Sequence, residues 1–107
     1  MTENEISHKI IGCAIELHKT LGPGLLESAY EAALAYDVRQ AGLEVKTQVP
    51  MPLIYKDVKQ EVGYRLDMIV ENMVIVEIKS VDTLAPVHFS QTLTYLKLAD
   101  KKLALLN

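Results

Sequence analysis

Cysteine is scarce in this chain of 107 residues: Cys13 stands alone, so no internal disulfide can form, and no cluster of Cys and His has zinc-ligand spacing. The disulfide-stapled secreted scaffold and the zinc finger are thereby excluded, and a reducing compartment is expected. Long apolar runs are missing too. No stretch of about 18 apolar residues occurs, and the segment Met1 to Glu5 carries acids where a secretion signal would carry bases. A cytoplasmic protein with no membrane partner is the expectation. Positive charge is not in excess either: 11 Lys and Arg against 14 Asp and Glu leave a formal net charge of −3. The global electrostatic footprint of a nucleic-acid-binding protein is therefore absent. Any polyanion must be met by local charge or through a metal ion.

What is present suits one compact unit. With 50% hydrophobic and 23% charged residues, a chain of this length can bury roughly 65% of its unfolded surface, enough for a core without staples. A single domain over residues 1–107 is expected. Ile6, Ile10, Cys13, Ala14, Leu17 and Leu21 recur at steps of three and four, which predicts an amphipathic helix from about Glu3 to Leu21, stopped by Gly22, Pro23 and Gly24. Leu26, Ala29, Tyr30, Ala33, Leu34, Val38 and Ala41 repeat the period before Gly42, a C-terminal cap. Steps then shorten. Val45, Thr47 and Val49 alternate, Pro50 and Pro52 mark an edge strand, and Leu53 to Tyr55 resume it. Two β-rich runs, Tyr64 to Val70 and Val74 to Lys79, are joined by Glu71, Asn72 and Met73 as a hairpin. Pro86 opens a third helix with Phe89, Leu93 and Leu96 inward, and Leu103 to Leu106 form a last buried strand. The fold class is α/β in the order α-α-β-β-β-α-β, a mixed sheet flanked by helices, with a crossover through the third helix.

The chemistry concentrates in the hairpin. Alternation puts Val74, Val76 and Ile78 on one face and Ile75, Glu77 and Lys79 on the other; likewise Leu66, Met68 and Val70 oppose Arg65, Asp67 and Ile69. A loop centred on Asn72 sets Asp67 opposite Glu77, and a slip of one residue would separate them across the sheet. Two facing carboxylates on an apolar strand repel. A divalent cation resolves the conflict, and Mg²⁺ suits one or two carboxylates completed by water and substrate phosphate, with Lys79 beside them for a phosphate oxygen or an attacking water. The spacing equally fits a surface hairpin in which Glu77 and Lys79 form an ordinary charge pair.

His88, Gln91 and Tyr95 share a polar stripe of the third helix, which a solvated face also explains. Glu27 stands where a helix-capping or dipole-compensating acid belongs, and Tyr30 one turn on reads as core. Cys13 lies on the first helix's apolar stripe and reads as a buried, inert thiol; His8 and His18 have no partner acid at a recognisable spacing.

Together these residues resemble a known family. Gly24, Glu27 and Tyr30 match the signature of the GxxExxY proteins, and Gly63 to Asp67, Glu77 to Lys79, and Gln91 to Tyr95 follow in that family's order, spanning about Ile6 to Leu106. That family is similar to the PD-(D/E)xK nuclease superfamily, in particular its RecB-like branch. The resemblance implies a PD-(D/E)xK nuclease-like core and a Mg²⁺ site, with Mn²⁺ as the alternative ion. Its ligands would be Asp67, Glu77, the backbone carbonyl of Ile78 and Glu27, directly or through water. It further implies that Lys79 orients or activates the attacking water and that Gln91 and Tyr95 support the site and a nucleic-acid strand. The implied reaction is hydrolysis of a phosphodiester bond. Two departures stand out: no proline precedes Asp67, and the chain stops just after its last strand, a surface that a homodimer would cover.

The leading expectation is thus a Mg²⁺-dependent nuclease-like domain. The alternative is a non-catalytic interaction or scaffold module that keeps the nuclease fold and pairs through its sheet edge or exposed helices. The position of Arg65, Lys79, Lys97 and Lys46 separates them, because a nuclease needs those charges around the acidic pair.

Overall fold

The computed structural model describes residues 1–22, 24–60, 64–79 and 83–106; Pro23 and Gly63, which figure in the sequence motifs, lie outside the described residues. Helix α1 spans Glu3–Leu21. Its start is a capping box: the Glu5 N–H donates to Thr2 Oγ1 (3.2 Å) and the Thr2 N–H donates to Glu5 Oε1 (3.0 Å), which satisfies amides that have no partner within the helix. Gly22 ends it at a left-handed φ of 71°. Helix α2 spans Glu27–Gln40, and Gly42 at φ 90° turns the chain toward the sheet. Ile6, Ile10 and Leu17 of α1 pack with Tyr30, Leu34 and Val38 of α2. Leu21, predicted to close the α1 stripe, is exposed because the core covers the helix only as far as Leu17.

Strands β1 (Val45–Pro50), β4 (Arg65–Val70), β5 (Val74–Glu77) and β6 (Leu103–Leu106) form one mixed sheet in the order β1-β4-β5-β6. The first two pairings are antiparallel and β5–β6 is parallel, reached by the crossover through α3 (Pro86–Ala99) that a parallel neighbour requires. Pro50 ends an edge strand, where its missing N–H costs no ladder bond.

One pair of strands was not predicted. Leu53–Tyr55 (β2) does not resume the edge strand but pairs with Val58–Gln60 (β3) as a separate hairpin. Its two-residue turn, Lys56 and Asp57, takes left-handed φ values of 50° and 64°, the twist that closes tight hairpins. The β4–β5 register agrees with the prediction: Val70 faces Val74, Ile69 faces Ile75 and Met68 faces Val76. Glu71 and Asn72 both sit at φ 53° in its turn.

Helices α1 and α2 cover one face of the sheet, meeting Met68, Val70, Val74, Val76 and Ile78. On the other, Ile69, Ile75 and Tyr95 pack together. Leu66 joins this second group, alongside Val49 and Met51, rather than following Met68 as strict alternation predicts. Helix α3 is turned differently from the expectation. Thr92 and Tyr95 are its buried residues, whereas Phe89 and Leu93 are 52% and 59% exposed and Leu96 is half-buried. Tyr95 decides this, since its ring buries a large apolar area while its hydroxyl hydrogen-bonds the Arg65 backbone on β4, within the field of the acids. Thr92 can follow inward because its hydroxyl donates to the His88 carbonyl (2.8 Å). Leu103, Ala104 and Leu105 are half-buried rather than buried, as β6 is the sheet's far edge. No described helix is long and apolar enough to cross a membrane.

Candidate functional site

The last paired rung of the β4–β5 ladder is Met68 with Val76. At the next position side chains take over from main chain. The Asp67 N–H donates to Glu77 Oε1 (3.1 Å), and the Ile78 N–H donates to Asp67 Oδ2 (2.8 Å). Each carboxylate thus accepts an amide from the opposite strand, which holds both acids in place at the end of a rigid ladder. Glu77 is 2% exposed and Asp67 half-buried.

Burial is the main force on Glu77 and pushes its carboxyl up to about 7. The Asp67 carboxylate, near enough for a side-chain hydrogen bond, pushes the same way, while the Asp67 amide and the Lys79 ammonium pull it down without prevailing. The Glu77 carboxyl therefore keeps its proton up to near neutral pH, because burial disfavours its charge. Tyr95 also lies within their field: burial first, then the charges of Glu77 and Asp67, raise its hydroxyl. Its ring meets Tyr64 edge to face, with centroids 6.1 Å apart.

The structure therefore gathers Asp67, Glu77, Lys79 and Tyr95 at one end of the hairpin. Other predicted residues stand differently. Glu27 is exposed at the first turn of α2, and among the described residues no group of three or more His, Cys, Asp or Glu could hold a metal ion. Tyr30 is core, edge to face with His18 at 6.1 Å. Ile78 is buried and engaged through its amide; Arg65 and Gln91 are exposed. His88 serves the start of α3, its Nδ1 accepting the Ala85 N–H (2.9 Å). Lys46 lies against Glu44 at 3.9 Å, and Lys97 is exposed in the last turn of α3. Burial raises the Cys13 thiol, as fits an inert side chain.

Sequence reasoning missed Gln48. The β1–β4 register seats it between the pairs Thr47–Met68 and Val49–Leu66, at the position facing Asp67. Its backbone is left-handed at φ 53° and its amide Nε2 donates to Glu31 Oε1 on α2 (2.7 Å). Non-glycine residues avoid that conformation, and such outliers gather at functional sites. Nothing in the alternation of Val45, Thr47 and Val49 signals it.

With this geometry in hand, comparison with known families gives one match. The profile of the PD-(D/E)XK nuclease superfamily matches residues 4–107. Curated proteins and solved structures gave no match.

Proposed function

The chain belongs to the PD-(D/E)XK nuclease superfamily, and from that premise we propose that residues 1–107 act as one domain that hydrolyses phosphodiester bonds of nucleic acid with the help of a divalent cation. The observation that carries this is the pair of acids, one of them buried, at the end of the β4–β5 ladder. Such a donor set fits a hard ion: two carboxylates, completed by water and substrate oxygens, are what Mg²⁺ and Mn²⁺ accept. Asp67 and Glu77 would hold it, with the Ile78 carbonyl beside them; Glu27, exposed on α2, would join only through water and is the least supported of the four. When bound, the ion supplies Lewis-acid polarisation of the phosphoryl group.

The chain's own residues do the rest. Lys79, which already acts on Glu77 as a cation, orients the attacking water and donates to a phosphate oxygen, where its charge meets the negative charge that develops in the transition state. Tyr95 braces the acids from α3, Gln91 and Arg65 meet the strand, and Tyr30 fixes α2 beneath Glu27. A reducing cytoplasm, where Mg²⁺ is plentiful, completes the proposal.

One observation favours a second reading, the non-catalytic module: Lys46 lies against Glu44 rather than serving the acidic pair. In that reading the open edge of β6 pairs with a second copy.

Calorimetric titration of Mg²⁺ and Mn²⁺ at pH 6 and pH 8 separates them. Since the Glu77 carboxyl holds its proton up to about 7, binding at pH 6 is expected to release close to one proton and to be roughly tenfold weaker per pH unit below that value. At pH 8 release should be near zero. Labelled single- and double-stranded DNA and RNA are then incubated with the metal-loaded protein, with Asp67→Ala as control. Metal-dependent cleavage lost in Asp67→Ala supports the nuclease; saturable binding with no cleavage of any substrate favours the module. Absence of metal binding in the wild type overturns the site.

A further inference from the structure

The β2–β3 hairpin takes no part in the core, and its surface is unlike that of an ordinary connection. Tyr55, next to its turn, is 61% exposed, and Ile54 and Val58 are exposed as well. Pairing of Tyr55 with Val58 puts both on one face, while Ile54 and Lys59 share the other. The Lys56 ammonium stands 5.5 Å from the centre of the Tyr55 ring, so a cation and an aromatic plane are offered together. The hairpin is inserted at the end of the sheet where the site lies. The Met51 N–H donates to the Tyr64 carbonyl (2.9 Å) at its base, Pro50 faces Arg65, and Asp67 is two residues further along β4. Tyr64 continues the aromatic line to Tyr95 beside the acids.

We infer that this hairpin is a binding platform for single-stranded nucleic acid, on which a base stacks against Tyr55 beside Val58 while Lys56 meets the adjoining phosphate. The inference rests on the nuclease reading and deepens it, because it names the form of substrate. An exposed ring can stack only on a base whose face is free, as in a single strand, and that contact tolerates any sequence. Lys56 and Lys59 against Asp57 leave residues 53–60 with one net positive charge, beside the ring, in a chain whose net charge is −3.

Fluorescence anisotropy of labelled oligo(dT), oligo(rU) and a DNA duplex, in metal-free buffer where nothing is cleaved, tests it. Tyr55→Ala is expected to weaken single-strand binding roughly 5- to 100-fold, the range of one lost base stack. Tyr55→Phe keeps the plane and should bind like wild type. Ile54→Ala, on the opposite face, should do the same. Lys56→Ala should lower the slope of log affinity against log salt by about 0.7. Equal losses in Tyr55→Ala and Ile54→Ala, tighter binding of duplex than of single strand, or no binding by the wild type would each overturn the platform. Calorimetry with Mg²⁺ should be unchanged in Tyr55→Ala. Strand binding by a wild type that cleaves nothing supports the platform while sinking the catalytic reading.

Discussion

Glu77→Gln is expected to make the metal-free protein more stable at pH 8, by roughly 2–3 kcal/mol, and to remove most of its pH dependence between about 4.5 and 7. The folded carboxyl titrates near 7 and the unfolded one near its ordinary 4.5, so between those values the native state holds a proton that the unfolded chain has released. Stability is therefore fullest below 4.5, falls as pH rises through the window, and levels above 7. Glutamine carries no charge to bury. Its oxygen can still accept the Asp67 N–H and its amide can donate to the Asp67 carboxylate, so the crossed bonds of the hairpin end persist. For a chain of this size the gain corresponds to a rise in melting temperature of about 10 °C. Thermal or urea unfolding in chelator at pH 5, 6, 7 and 8 reads it. Mg²⁺ should stabilise the wild type and leave Glu77→Gln unmoved, since only the former has a site to fill. Wild-type stability that climbs over pH 5 to 7 relative to the variant would sink the account.

Lys79→Ala is expected to cut cleavage roughly 10²- to 10³-fold, the usual contribution of a positioned donor that meets charge developing in the transition state. Metal binding at pH 8 should persist, because both carboxylates remain and lose only a neighbouring positive charge. At pH 6 the ion should bind more weakly than in wild type relative to pH 8, as Glu77 keeps its proton more firmly without the ammonium. Arginine should not restore the rate: its planar, bulkier guanidinium does not reproduce the compact point charge of an ammonium beside the water. Single-turnover cleavage with saturating Mn²⁺ distinguishes this from a binding defect, and full activity in Lys79→Ala would remove the residue from the chemistry.

The sequence carried the hairpin well because its constraints are local. A three-residue loop and strict alternation leave one register that keeps valines on the core face, and that register brings Asp67 to Glu77. The boundaries of α1 were legible from the apolar spacing of Ile6 to Leu21 and the stop at Gly22 for the same reason. Where the answer depended on what a distant element offers, the pattern misled. Phe89 and Leu93 outweigh Tyr95 in hydrophobicity, yet α3 presents Tyr95 to a sheet face bearing two acids. The β2–β3 turn uses Lys56 and Asp57 where Asn-Gly would have announced a hairpin. Gln48 owes its interest to a backbone angle and to its place opposite Asp67, neither of which residue identity encodes.

The connection of β4 to β5 also bears on the order in which the molecule is made. Val70 meets Val74 across a three-residue turn, whereas Val74 meets Leu103 only after 29 residues of chain have been brought back. Closing the short loop takes far less entropy, so the hairpin is expected to form early and the parallel pairing late. Pulsed hydrogen exchange during refolding should protect the Met73 amide before those of β6; the reverse order would disprove this. Two acids brought together ahead of the helix that shields them meet while water still surrounds them, and their repulsion is felt only as α3 arrives. A step that desolvates charge is a barrier whose height follows pH, and a cation supplied during refolding would speed the last stage rather than the first.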